Sequence, residues 1–194
     1  TLSAGVGLGI NPIYTYGSDE QKQMFLPDLV SGRALGAFAL TEPGGGSDAG
    51  ATATRATHSE SLRTWQLNGS KSFITNSGTE ITSVITTTAR TDDGGISAFL
   101  VPAGTPGLVV EPSYRKLGWH ASDTHGLSFI DCVIPEENLL GERGKGFHNF
   151  LTMLDGGRVA ISAIALGLSQ TCLDLSVEYA KTRNAFGGAI GRFQ

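Results

Sequence analysis

Cysteine is scarce in this chain. There are two, Cys132 and Cys172, and they form no CxxC pair. That argues against a disulfide-stapled scaffold and a cysteine-rich zinc site, and it predicts two buried free thiols of the kind found in a reducing compartment. Histidine is scarce as well: His58, His120, His125 and His148 are scattered without metal-ligand spacing. No metal site is therefore expected. No uninterrupted apolar run approaches the roughly 18 residues of a transmembrane helix, so none is expected. Charged residues make up 16% and the net charge is −4, so nothing favours nucleic acid or an anionic membrane as partner. No internal repeat or low-complexity tract is visible. The chain also lacks an initiating methionine, Thr1 reads as mid-helix, and Gln194 comes straight after a helix and turn. These features read as a fragment, with no targeting segment to interpret.

Apolar residues account for 40% of 194, which suits a soluble globular chain with a sizeable core. Residues 1–35 read as helical: "SDEQKQMFLPDLVSG" pairs Ser18 with Gln21 in a capping box, Gly32 is a stop signal, and Pro27 predicts a break or kink. The texture then changes. "LGAFALT", "TWQLNGSKSFIT", "ITSVITTTAR", "GISAFLVP", "GLVVEP" and "GLSFIDCVIP" are short, β-branched or apolar, and bounded by Gly or Pro. They predict about six strands in an antiparallel barrel or sandwich, with a hairpin turn at Asn68-Gly69. After Pro135 helical spacing returns. Phe147, Phe150, Leu151 and Leu154 share a stripe, as do Ile161, Ile164, Leu168, Cys172 and Leu175, with Gly156-Gly157 as a bend or a close approach. The fold class is α+β, a β domain at 36–140 flanked by helical segments at 1–35 and 141–194.

Several stretches have chemical potential. "LTEPGGGSD", residues 40–48, follows an apolar strand and has almost no side-chain bulk. It is either a plain turn or a loop whose backbone meets a ligand closely, and it is neither GxGxxG nor a P-loop. Glu42 within it reads as a solvated or capping carboxylate. In "KSFITNSG", period two puts Phe73 and Thr75 on one strand face and Ile74 on the other. That is either ordinary strand packing or an aromatic wall with a hydroxyl for a flat cofactor. In "MLDGGRVAISA", Asp155 and Arg158 sit three apart and either pair with each other or clamp a ligand; Lys181, Arg183 and Arg192 either complement a helix end or meet a phosphate.

Taken together, "EQKQMFLPDLVSGRALGAFALTEPGGGSDAGA", "NGSKSFITNSG", "KLGWHASDTHGLSFIDCVIPEENLLGERGKGF", "LDGGRVAISAIALGL" and "RNAFGGAIGRFQ" resemble the acyl-CoA dehydrogenase family of flavoproteins, in the family's order and across nearly the whole chain. The resemblance covers the end of an N-terminal helical domain, a middle β domain and the start of a C-terminal helical domain. It implies FAD as cofactor. Phe38, Leu40, Thr41, Gly46 and Ser47 would lie along the flavin, with Ser47 also meeting the acyl-CoA. Phe73, Ile74 and Thr75 would form a second flavin-contacting strand, Thr75 near N5 and Phe73, where many relatives have Trp, covering one ring face. Asp155 and Arg158 would contact CoA. Arg183, Phe186 and Gln194 would reach the FAD of a neighbouring subunit, implying a homo-oligomer, a tetramer or dimer.

The implied reaction is α,β-dehydrogenation of an acyl-CoA thioester to the 2-enoyl-CoA. A glutamate takes the α-proton and electrons pass on to an electron-transfer flavoprotein. The resemblance places that glutamate beyond Gln194, or, in a minority, where this chain has Gly157. No catalytic base is assigned here, and the 194 residues alone are expected to be inactive. Other chemistries share the scaffold: an acyl-CoA oxidase, a nitroalkane oxidase, a flavin-dependent monooxygenase, or a non-catalytic CoA-binding member. Bacterial cytoplasm and mitochondrial matrix are the implied locations.

Overall fold

The computed structural model describes residues 2–194. The chain divides into two compact units, Thr1–Gly157 and Arg158–Gln194, and the boundary falls inside the helix α4 (Gly146–Thr182).

The first unit opens with α1 (Leu2–Ala4), a π-helical turn over Gly5–Ile10, α2 (Asn11–Tyr16) and α3 (Asp19–Ser31). The capping box is present: the Ser18 hydroxyl accepts from the Gln21 amide at 3.2 Å and the Gln21 side chain accepts from the Ser18 amide at 3.0 Å. Gly32 ends α3 in the left-handed region at φ 76°. Pro27 does not break the helix, contrary to its sequence signal. Pro27 and Gln23, whose carbonyl loses its partner, are both exposed, which leaves that carbonyl on the solvent side of the helix. Gln21 does more than cap: its amide donates to the carbonyls of Glu137 and Leu139, tying α3 to the β domain.

That domain is one eight-stranded sheet: β1 (Leu35–Ala39), β2 (Arg55–Ser59), β3 (Thr64–Thr75), β4 (Thr82–Thr91), β5 (Ile96–Pro102), β6 (Leu108–Val110), β7 (Thr124–Pro135) and β8 (Leu139–Leu140). Its order is β6-β7-β3-β2-β4-β5-β8, with β1 on β4. The expectation of an antiparallel barrel or sandwich is corrected on two points. The path has two ends and does not close, and β1 and β2 each run parallel to β4, so the sheet is mixed. Period-two patterning buries both faces of the middle strands. Phe99 and Val101 enter one core with Trp65, Leu67 and Ile85, whereas Ala98 and Leu100 enter another with Ile13, Phe25, Leu29 and Phe150. The two apolar cores thus lie on opposite faces of the sheet, and the second binds the helices to it.

Asn68-Gly69 is not a hairpin turn. It lies within β3 as a bulge against β7, with Gly69 at φ 146°. The Asn68 amide donates to Asp131 Oδ1 and its oxygen accepts from the Asp131 amide, so the side chain bonds across the sheet rather than closing a turn. A Cβ at Gly69 would lie 2.6 Å from Thr54 Cα, and that close approach is why the position is glycine. The turn joining β2 to β3 falls at residues 60–63, with Arg63 at φ 51°.

The chain stays helical through Gly156 and Gly157, and neither is packed tightly: a Cβ on Gly156 would meet nothing within 4 Å, and one on Gly157 only Leu8 Cδ2 at 3.8 Å. The stripe residues Ile161, Leu168 and Leu175 are exposed. An 18-residue window of α4 has mean hydropathy 1.4, so α4 is long and apolar enough to cross a membrane. The expectation of no such helix rested on uninterrupted apolar runs. The window passes because Ser, Gln and Thr interrupt the apolar residues while no charge falls between Arg158 and Asp174. The same length and composition suit a helix packed within a protein bundle. The expectation of two buried thiols is half right: Cys172 is exposed, whereas Cys132 is buried and its thiol is pushed up to about 11 by burial. The second unit continues past α4 with a two-strand ladder, β9 (Asn184–Ala185) and β10 (Gly188–Ala189).

Candidate functional site

Strand β1 ends at Ala39 and hands the chain to loop 40–48, which runs beside the far end of β3. Two adjacent residues of β3 bond three successive residues of the loop. The Ser72 amide donates to the Thr41 carbonyl at 2.9 Å. The Lys71 ammonium donates to the Leu40 carbonyl at 3.3 Å and to Glu42 Oε1 at 2.8 Å. Glu42 and Gly45 exchange backbone bonds at 3.0 and 3.1 Å, closing a tight turn over Pro43-Gly44.

The three glycines differ in why they are there. A Cβ on Gly45 would lie 2.9 Å from the Asp48 carbonyl, so the turn itself excludes a side chain. A Cβ on Gly44 would meet nothing within 4 Å, and one on Gly46 only Thr41 Cγ2 at 3.9 Å. None of the three has positive φ. The chain's own packing therefore leaves Gly44 and Gly46 unexplained and leaves open space over the loop. Thr41 is half-buried beneath it, and Gly46 and Ser47 are exposed.

The strand opposite is strained. Register between β3 and β7 breaks between Lys71 and Ile74, and Phe73 takes φ 61°. A bulky non-glycine residue in the left-handed region costs on the order of 1–3 kcal/mol. Phe73 is 66% exposed, so core burial does not repay that cost. The ring rests on Tyr114, with centroids 4.9 Å apart. Ile74 is buried in the core, so its side chain faces away from this surface, and Thr75 is half-buried beside it. Leu40 likewise points into the core, and Phe38 stacks on Phe150 at 4.0 Å.

Of the two readings of Glu42, solvated or capping, the first is wrong and the second is nearer the structure. Glu42 is buried, accepting from the amides of Ala53 at 2.7 Å and Thr54 at 3.1 Å as well as from Lys71. Burial, the largest single influence, pushes its pKa up, but Lys71, Thr54 and Ala53 together outweigh it and hold the carboxyl below the ordinary glutamate range. For Lys71 burial outweighs the pairing with Glu42 and lowers the ammonium below the ordinary lysine value. Because the folded-state value of Glu42 lies below the unfolded one, about 4.3, its contribution is complete above that pH and lost as pH falls through the folded value. Wild-type stability should therefore fall with acid below about pH 4.3 more steeply than that of Glu42→Gln, by urea denaturation across pH. Equal slopes would contradict an ionised Glu42.

The remaining predicted residues are on α4 and in the chain that follows it. Asp155 is exposed on α4 in the first unit, and Arg158 is exposed on α4 in the second. Arg183 is exposed at the end of α4, where its carbonyl accepts from the Ile190 amide at 2.9 Å. Phe186, at φ 49° and 98% exposed, and Gln194, also exposed, follow it. A cavity of about 710 Å³ between Gln21, Phe25, Arg63 and Asn138 shares no residue with the loop or with Phe73. Sequence reasoning missed Lys71 and Tyr114. Lys71 carried a usable signal: a lysine close to the inward residues Trp65 and Leu67 of one strand requires a buried carboxylate partner.

Comparison with known proteins identifies the family. The chain matches the acyl-CoA dehydrogenase N-terminal domain over residues 1–33, the middle domain over 37–132 and the C-terminal domain over 144–194. It is 46% identical to mouse short-chain specific acyl-CoA dehydrogenase, mitochondrial, covering all of this chain and 47% of that one. Butyryl-CoA dehydrogenase from Megasphaera elsdenii superposes with a TM-score of 0.94 at 46% identity, over 100% of this chain and 51% of its own. A chain from the structure of the electron transferring flavoprotein of Acidaminococcus fermentans gives 0.94 at 45%, over 100% and 51%. Bacillus anthracis acyl-CoA dehydrogenase complexed with FAD gives 0.94 at 38%, over 98% and 32%. The chain thus spans about half the length of the curated relatives it matches. With all three of its domain types matched in order, this chain belongs to the acyl-CoA dehydrogenase family.

Proposed function

We propose that this chain forms the flavin- and CoA-binding centre of an FAD-dependent acyl-CoA dehydrogenase. The observation that carries the reading is the strained, exposed Phe73 bonded through its neighbours to a glycine loop with open space above it. The residues present fit a flat, polar-edged group. Phe73 offers an aromatic face, Thr41 and Thr75 offer hydroxyls, Gly46 and Ser47 offer unobstructed backbone, and Leu40 and Ile74 contribute through their backbones because their side chains face the core. Phe38, just before the loop, stacks on Phe150. FAD, when bound, supplies the hydride acceptor for α,β-dehydrogenation. The protein's part is to hold the acyl-CoA against that surface, with Ser47, Asp155 and Arg158 assigned to CoA, and to exclude water from it. The names of the relatives make a short acyl chain the first to test.

As the family resemblance implies, the general base is assigned to a glutamate outside these residues; at the position where a minority of relatives carry it, this chain has Gly157. The 194 residues alone are accordingly inactive in this account. Arg183, Phe186 and Gln194 are assigned to the FAD of a neighbouring subunit, which requires a homo-oligomer. The apolar stripe of α4 is read as a surface covered by protein, since that segment matches the acyl-CoA dehydrogenase C-terminal domain model. The division into 1–35, 36–140 and 141–194 is retained as the working domain plan. An electron-transfer flavoprotein is the proposed acceptor, on the likeness to the Acidaminococcus structure. Action in bacterial cytoplasm or mitochondrial matrix is consistent with the relatives.

Two substitutions in the full-length protein test the assignments. Thr75→Val removes one hydrogen bond to the flavin and should slow its reduction by acyl-CoA up to about tenfold, read by stopped-flow absorbance. An unaltered rate and spectrum would reject the role. Arg158→Ala should weaken acyl-CoA binding by about tenfold or more, as loss of a charge-assisted bond does. Unchanged affinity in an equilibrium titration would reject it.

A further inference from the structure

The Lys71–Glu42 pair calls for an explanation beyond stability. Both side chains are almost wholly removed from water, 0% and 6% exposed. Buried ion pairs seldom outperform an apolar pair of similar volume, because desolvation offsets the attraction. This one nevertheless joins four separate stretches of chain. Lys71 spends its three protons on the Leu40 carbonyl, Glu42 Oε1 and the Thr88 hydroxyl at 3.1 Å. Glu42 gathers in the amides of Ala53 and Thr54. The next two residues of β3 complete the pattern: Ser72 bonds Thr41, and Phe73 turns outward. One residue triplet, 71–73, therefore sets both the position of the loop and the point where the strand flips.

We propose that the Lys71–Glu42 pair is a positioning device, fixing loop 40–48 against the bulge of β3 so that Thr41 and the Phe73 ring form one surface ready for the flavin. Neither side chain touches the flavin; they act through the loop and the bulge. Pre-organisation of this kind improves binding by reducing the ordering that a ligand must otherwise impose. The proposal rests on the flavin reading above.

The test is the Glu42→Gln/Lys71→Met double variant of the full-length protein. The introduced glutamine keeps an oxygen for the Ala53 and Thr54 amides, and the introduced methionine keeps the volume of the lysine stem, so no charge is left unpaired. Thermal stability should recover most of what Lys71→Met alone loses. The dissociation constant for FAD should nevertheless rise by about tenfold or more, the scale of one to two lost ordering contacts. The visible spectrum of bound flavin should change, and amide hydrogen exchange over residues 41–48 should accelerate without FAD present. A stable double variant that binds FAD within about twofold of wild type, with the same spectrum, would overturn the proposal and leave the pair a packing feature. A double variant that does not fold would also overturn it, making the pair a requirement of the fold. Wild-type protein that binds no FAD would overturn the flavin reading itself, a result the double variant alone cannot produce.

Discussion

Lys71→Met alone is expected to lower the folding free energy by about 3–5 kcal/mol, the usual result of deleting one partner of a buried pair. The side chain is fully buried, so solvent cannot rescue what it leaves behind. Glu42 would keep its two backbone amides but lose its buried countercharge, and Thr88 and the Leu40 carbonyl would each lose a donor. Urea denaturation of wild type and variant at pH 7 measures the loss. Because domains are stable by only about 5–15 kcal/mol, the variant should be visibly compromised. A loss under about 1 kcal/mol would mean that the pair is not buried and mutually bonded as described.

Phe73→Gly should separate stability from binding. Glycine enters the left-handed region freely, so releasing Phe73 from φ 61° should stabilise the fold by about 1 kcal/mol. Little is lost in exchange, since the ring is mostly exposed and leans only on Tyr114. The same change removes the aromatic face assigned to the flavin and should weaken FAD binding by about tenfold or more. Calorimetry and a flavin titration on the same preparation read both effects. A variant that is less stable and binds FAD normally would show that Phe73 serves the fold rather than the site.

The sequence made some of this structure legible because the relevant physics is local. The Ser18–Gln21 box and the Gly32 stop are decided within a few residues, and both are present. The strand-rich middle followed from β-branched runs and turn residues. What failed was tertiary. Asn68-Gly69 has the chemistry of a hairpin turn, yet a bond to Asp131 and a close approach to Thr54 hold it within a strand. Pro27 was tolerated because of where its face of α3 points. The mixed parallel pairing of β1 and β2 with β4 has no local signature. At the site, the family resemblance named Phe73, Thr75 and the glycine loop. It did not name Lys71, because the need for that lysine arises only when residues 40–42, 53–54, 71 and 88 are brought together.

The central claim is that this chain builds a flavin site for acyl-CoA oxidation. It is tested most directly by the visible absorption spectrum of the purified full-length protein, recorded anaerobically before and after addition of acyl-CoAs of increasing chain length. The account predicts a flavin band that bleaches, first with a short-chain acyl-CoA. A flavin band that no acyl-CoA bleaches, or a protein with no flavin, would contradict it.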